Sequence, residues 1–474
     1  MKTRVEKDTL GEINVPEDKL WGAHTQRSLQ NFRIGPEASM PDEIIEAFAF
    51  IKKAAAISNH KAGLLSGEKR QLIEQVCDEL LAGKLREHFP LVIWQTGSGT
   101  HTNMNCNEVI ANRIRQIVKD DLKWGSISIH PIDEVNKSQS SNDTFSAAMH
   151  IAAYKNLMDR LLPVLRDLQA TFGRKSNEFS NIVKIGRTHF MDAVPLTLGQ
   201  EFSGYTAQVE RGISAIENSL PDLLNLPLGG TAVGTGLNTP PGFDSEIVHQ
   251  ISKQTGFPFK VAPNKFALMA SHNAFVHVHG AIKQVATSLL KIVNDIRVMV
   301  SGPRAGLSEL RIPANEAGSS IMPGKVNPTQ IEALSMVCTQ VMGNDVTISI
   351  ANSYGHFQLN VFKPVLIANF LQSANLLADA CKSFITNCLT GIEPDTEKIE
   401  LHVRNSLMLV TALSPYIGYD NAAKIAKHAY KNNCSLREAA AELGLVSEKQ
   451  FVEWVNPGQM THPNISANEN NSQK

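Results

Sequence analysis

From Asp143 the chain runs through FSAAMHIAAYKNLMDRLLPVLRDLQATF, and Met149, Ala153, Leu157, Leu161, Leu165, Leu168 and Phe172 recur in it at steps of three and four residues. A stripe of that period predicts one long amphipathic helix, bent at Pro163, where the ring removes an amide and crowds the preceding turn. After Pro328 a second stripe, Ile331, Leu334, Cys338, Val341 and Ile348, follows a seven-residue rhythm. That rhythm suits packing along neighbouring long helices. Similar patterns cover about 196–220, 270–300 and 363–390, while strand signals are few and short. The expected fold is mainly α, with three domains and a central bundle of long helices. We place a mixed, mainly helical domain at 1–139, the bundle at 140–395, a small C-terminal helical domain at 396–460 and a disordered polar tail at 461–474.

With 474 residues the chain has room for about three domains of roughly 150 residues each. Its formal net charge of −1 and lack of a long basic run argue against nucleic acid or a membrane surface as partner and favour a small molecule. The opening MKTRVEKDTLGEINVP reads neither as a secretory signal nor as a transit peptide, and no apolar run approaches the ~20 residues that span a bilayer. An intracellular protein is expected. Six cysteines lie far apart with no Cys-x-x-Cys pair, which predicts reduced, mostly structural thiols.

Residues 318–328, GSSIMPGKVNP, break the helical texture with two glycines, two prolines, two hydroxyls, a lysine and an amide. Gly318 and Gly324 allow unusual backbone angles, so the segment reads as a mobile loop carrying polar chemistry. Asn327 is placed to cap the following helix, with Pro328 at its first position and Gln330 at its third. A phosphate-binding P-loop is a near miss: five residues rather than four separate Gly318 from Gly324, and Val326 follows Lys325 where a hydroxyl is needed. TGSGTHTNMN brings Ser98, Gly99, Thr100 and their neighbours to a helix start, and NKSQSSND does the same with Ser140, Ser141 and Asn142. GRTHFMDAVP sets Thr188 and His189 shortly before Pro195. Each segment alone is an ordinary capping or turn signal. Together, hydroxyls, amides, helix N-termini and one lysine suit a small dicarboxylate better than a phosphate ester or a metal.

In this order the four segments closely resemble class II fumarate hydratase, of the fumarase and aspartase superfamily, and the likeness runs from KLWGAHTQRS at 19–28 to LVTALSPYIGYDNAAKIAK at 409–427. The resemblance implies reversible addition of water to fumarate, giving (S)-malate through a C3 carbanion, with no cofactor and no metal. It also implies a homotetramer with a shared helical core, active sites built from several chains, a cytoplasmic location and a place in the tricarboxylic acid cycle. By the same resemblance Ser319 is the base, His189 handles the hydroxyl proton through a water, and Glu332 orients that histidine. Substrate contacts carry over to Ser98, Gly99, Thr100, Ser140, Ser141, Asn142, Thr188, Ser320, Lys325, Val326 and Asn327.

Two positions depart from the family pattern. A second carboxylate site would fall on His130, Pro131, Ile132 and Asp133, but Ile132 replaces a polar amide and weakens the case for a ligand there. His101 stands where glutamine is common. Aspartate ammonia-lyase or another fumarate-releasing lyase is the alternative within the superfamily, and the ammonia-lyase loop usually has alanine where Gly324 stands. A catalytically silent helical scaffold is the alternative of another class, opposed by the intact Ser319, His189, Lys325, Asn327 and Glu332. His272, His277 and His279 do not read as a metal site, because helical residues two apart diverge. GGTAVGTGLNT at 229–239 lacks the dinucleotide-loop order and reads as a turn supporting the site.

Overall fold

Helix Ser141–Asn156, a π turn at Leu157–Leu161 and helix Leu162–Glu178 follow one another without a break, as the first stripe requires. The π turn falls just before Pro163, where the missing amide and the ring disturb the regular ladder. Every large apolar residue of that stripe is buried. The other long helices are Leu198–Ser219, Asn273–Met299, Thr329–Ser353 and Lys363–Asn387. Ile331, Leu334, Cys338, Val341 and Ile348 have no exposed surface, so the seven-residue rhythm marks a continuous buried seam. The computed structural model describes residues 2–121, 124 and 127–463; of the tail expected at 461–474, residues 464–474 lie outside the described residues. Gln459–Thr461 form a single 3-10 turn.

Among the described residues, strands occur only as five two-stranded pairs. The longest are the hairpins Thr3–Asp8 with Gly11–Pro16 and Val183–Thr188 with Met191–Thr197. The fold class is mainly α. No described helix is long and apolar enough to cross a membrane.

The chain divides into two compact units. The first comprises the segment up to Pro163, Gly212–Thr287 and Val337–Asp379; the second comprises Val164–Arg211, Ser288–Met336 and the segment from Ala380 on. These units interleave along the sequence, a different kind of division from the consecutive segments 1–139, 140–395 and 396–460. In the first unit Phe48 meets Phe145 at 6.0 Å between ring centroids, among buried Ile44, Ile51, Leu72 and Val76. In the second, Phe172, Phe179, Phe202, Tyr205 and Phe384 form an aromatic cluster, with Phe179 edge-on to Phe202 at 5.2 Å.

Candidate active site

In the first unit, Gly99 takes φ 77° directly before helix Thr100–Asp120. A Cβ on Gly99 would lie 2.1 Å from the Phe145 ring, so both the backbone angle and the space demand glycine. Beside it the Ser98 and Thr100 hydroxyls are 2.8 Å apart. Ser140 caps helix Ser141–Asn156 in a reciprocal box: its Oγ accepts from the Asn142 amide at 3.2 Å, and Asp143 Oδ1 accepts from the Ser140 amide at 3.0 Å. The other Asp143 oxygen accepts from the amides of Gly229 and Thr231 at 3.1 and 2.9 Å. One carboxylate thereby joins the 229–239 turn to the helix start.

A buried ammonium connects the two serine-rich segments. Lys52 Nζ donates to Asn103 Oδ1 at 2.7 Å, Asn136 Oδ1 at 3.0 Å and Gln139 Oε1 at 2.9 Å. Asn103 in turn donates to Ser141 Oγ at 2.9 Å. A second buried lysine, Lys363, donates to the Asn142 carbonyl at 3.3 Å. Burial pushes both lysines down to about 7 and Asp143 up to about 6. Sequence reading missed Lys52 and Lys363 and noted Asp143 only as a helix lead-in. Lys52 left a signal, since it falls four residues after Phe48 on the apolar face of DEIIEAFAFIKKAAAIS. Lys363 left none.

In the second unit, Thr188 ends one strand of a hairpin and Met191 begins the other, with His189 and Phe190 between them. Their φ angles of 56° and 60° are those of a two-residue hairpin turn, a conformation that strains non-glycine residues by roughly 1–3 kcal/mol each. Thr188, His189 and Phe190 are exposed, and the His189 side chain makes no hydrogen bond among the described residues. His189 lies on the wall of a cavity of about 410 Å³ lined also by Lys184, Arg187, Glu201, Lys291 and Asp295. The strand leading to it is held by Glu309, which has no exposed side-chain surface. Arg187 donates to both Glu309 oxygens at 3.0 and 2.7 Å, Lys184 Nζ is 3.2 Å away, and His402 Nδ1 is 3.2 Å away. Burial pushes Glu309 up, but the Arg187 bonds, the Lys184 charge and the His402 hydrogen bond outweigh it and hold the carboxyl below its usual range.

The 318–328 loop closes on itself. The Gly318 amide donates to the Lys325 carbonyl at 3.0 Å, and Asn327 Nδ2 donates back to the Gly318 carbonyl. A Cβ on Gly318 would lie 2.1 Å from the Lys325 carbonyl oxygen, which restricts the position to glycine. Inside the loop Ser319 Oγ accepts from the amides of Ile321 and Met322 at 3.2 and 2.9 Å. Ser320, Lys325 and Val326 are exposed, and the Lys325 ammonium has no partner among the described residues. The helix starts at Thr329, one residue later than expected, and Asn327 turns its side chain to Gly318: the loop-closing bond from Nδ2 fixes its orientation, and its Oδ1 accepts no helix amide among the described residues. Glu332 pairs with Arg297 at 3.4 Å. Within the second unit no hydrogen bond among the described residues joins His189 to Ser319 or to Glu332.

The second carboxylate segment has a local role. His130 Nδ1 accepts from the amides of Ile132 and Asp133 at 3.3 and 3.1 Å, capping the turn Pro131–Val135, and Ile132 is exposed beside a cavity of about 360 Å³. His101 is half-buried with Nδ1 3.0 Å from Ser28 Oγ, and burial followed by repulsion from His24 pushes its pKa down. His277 meets Asp222, while His279 lies between Asp345 and Ser373, so these rings diverge.

A helical chain with hydroxyl-rich helix starts and a closed serine–lysine loop matches a lyase: residues 11–343 fit the family model described as Lyase, and residues 409–462 fit Fumarase C C-terminus. The chain is 62% identical over 460 residues to the class II fumarate hydratase of Pasteurella multocida, covering 97% of this chain and 99% of that protein. It is 57% identical to the class II fumarate hydratase of Bacillus cereus, covering 98% and 100%. The crystal structure of class II fumarase from Schistosoma mansoni superposes with a TM-score of 0.94 at 44% identity, covering 98% of this chain and all of that one. The chain belongs to the class II fumarate hydratase family.

Proposed function

We propose that this lyase adds water reversibly to fumarate, giving (S)-malate, with Ser319 as the carbon base. The observation that carries this reading is the environment of Ser319 Oγ, which accepts two backbone amides at the mouth of a loop closed by Gly318 and Asn327. A serine hydroxyl is a weak base unless its alkoxide is favoured. Two amides aimed at the oxygen supply that bias as an oxyanion hole does, and Lys325, six residues on in the same loop, offers a cation that loop movement can bring to it.

In the malate-to-fumarate direction Ser319 takes the C3 proton, and the electron pair left on carbon spreads into the adjacent carboxylate. His189, through a water, then gives a proton to the departing C2 hydroxyl, which leaves as water while the double bond forms. Glu332 orients His189. Ser98, Gly99, Thr100, Ser140, Ser141, Asn142, Thr188, Ser320, Lys325, Val326 and Asn327 hold the two substrate carboxylates. Among the described residues of one chain Glu332 pairs with Arg297 instead of His189, an arrangement that suits a site assembled from several chains of a homotetramer. Exposed Phe190, Met191, Ile321 and Met322 beside the catalytic groups also support it, since large apolar side chains around a polar site suit an interface. The protein works in the cytoplasm, within the tricarboxylic acid cycle.

Fumarate absorbance followed with water alone, and then with ammonium, tests the reaction. Malate should form in both, and aspartate formed without malate would replace the assignment with aspartate ammonia-lyase. Mixed refolding tests the sharing of sites. Ser319→Ala and His189→Asn chains, each inactive alone, should regain activity together if the two residues come from different chains, and stay inactive if one chain supplies both.

A further inference from the structure

We propose that His428, Cys434 and Glu442 form a binding site for a zinc-like divalent ion in the C-terminal helices. Helix Tyr419–Asn432 ends at Asn433 in the left-handed conformation with φ 50°, and the Cys434 amide donates to the Ala429 carbonyl at 3.1 Å. This reversal lays Cys434 back over the helical turn that carries His428. Ser435 and Glu438 then form a capping box that starts helix Leu436–Glu442. Ala429 from the first helix and Leu436, Ala439 and Ala440 from the second are buried in one apolar cluster, which sets the two helices against each other. Glu442, on the last turn, thereby comes within 2.7 Å of His428 Nε2.

The result is one imidazole nitrogen, one sulfur and one carboxylate oxygen, all within 4.8 Å of one another. Ligands about 2.0–2.3 Å from a tetrahedral zinc ion stand roughly 3.4–3.8 Å apart, a distance that small rotations of part-exposed side chains reach. The donor set selects the ion. Calcium and magnesium take oxygen ligands, whereas thiolate with imidazole favours zinc and its neighbours. Three protein ligands leave a fourth position for water. Cys434 is also chemically available: it is half-exposed, whereas Cys77, Cys106, Cys338, Cys381 and Cys388 are buried. On binding, the thiol proton passes to buffer, the neutral His428 ring moves the proton that Nε2 donates to Glu442 onto Nδ1 by exchange with water, and the ion takes the Nε2 lone pair in place of the His428–Glu442 hydrogen bond. None of these three residues has a part in the hydration chemistry, and sequence reading had assigned no metal ligand to the chain.

Full-length protein stripped with a chelator and titrated with Zn²⁺ by calorimetry, and separately with Co²⁺ by absorbance, tests the site. One Zn²⁺ per chain should bind, and Co²⁺ should give a thiolate charge-transfer band in the near ultraviolet. Cys434→Ser should abolish that band and weaken Zn²⁺ at least about tenfold, and Glu442→Gln should weaken Zn²⁺ by a smaller factor, with fumarate hydration unchanged in both. Absence of the cobalt–thiolate band in the unmutated protein, or Zn²⁺ binding in Cys434→Ser equal to that of the unmutated chain, would overturn the proposal. Glu442→Gln keeps the cysteine and the fold, so its unchanged affinity would equally count against the site.

Discussion

Two lysines stand beside serines assigned to substrate, and their surroundings could hardly differ more. Lys52 is fully buried, is held by three amide oxygens and reaches Ser141 through Asn103. Lys325 is exposed on a loop and has no partner among the described residues. The first unit therefore sets the helix start of Ser141 and Asn142 on a prepaid polar scaffold, fixed by Asn103, Lys363 and Asp143. In the second unit His189 sits on a strained two-residue turn, and Ser319 sits in an exposed loop tied by main-chain bonds, by the Asn327 amide and by its own Oγ accepting from Ile321 and Met322. Groups that exchange protons with substrate need freedom to approach it, and groups that hold carboxylates need rigidity.

If that division is right, substitutions in the two regions should fail differently. The largest effect is expected for Ser319→Ala, with kcat falling about 10²- to 10⁴-fold while the urea midpoint stays unchanged. A parallel loss of stability would show that the loop is part of the scaffold. Lys52→Ala should do the reverse, costing about 2–4 kcal/mol in urea unfolding because it leaves a cavity and unpaired amide oxygens. Next, Gly318→Ala should lower kcat about tenfold with little change in stability, since the added Cβ strikes the Lys325 carbonyl and opens the loop.

The pH dependence of stability sharpens the same contrast. Lys52 holds its proton to about 10.5 when unfolded and sheds it near 7 when folded, so the unfolded chain binds more protons between those values. The stability that Lys52 contributes is therefore complete above about 10.5 and lost as pH falls through 7. Urea midpoints at pH 7 and 9 should rise more in the unmutated protein than in Lys52→Met, and equal slopes would mean the buried amine does not titrate there. The smallest effect is expected for Arg297→Ala, whose exposed pair with Glu332 should change stability by less than about 1 kcal/mol.

How much of this was legible in the sequence varies with the range of the interaction involved. Helix Ser141–Asn156 with its Ser140 cap, the helix start after Gly99 and the seam from Ile331 to Ile348 were all readable, because caps and stripes act over three to seven residues. The start after Pro328 was read one residue early. Asn327 has a good capping position, but the bond from its Nδ2 to Gly318, nine residues back, sets how the side chain points, and a local pattern does not contain that contact. The polar network around Lys52 was out of reach, because its partners lie 51, 84 and 87 residues away. The Glu309 clamp on the hairpin is similar, joining Arg187 to a residue 122 positions later.

Taken alone, the sequence determined the mainly helical class and, by resemblance, the reaction, and it marked the polar segments to which the chemistry is assigned. These follow from local periodicity and from short motifs whose residue types can do only a few kinds of chemistry. Only the tertiary structure decided which groups orient which: that Asp143 joins a distant turn to a helix start, that two buried lysines brace the helix start carrying Ser141 and Asn142, and that Cys434 folds back onto His428 and Glu442. The physical reason is burial. A charged group takes its pKa, its partners and its rigidity from what packs around it, and residues far apart in the chain supply that environment.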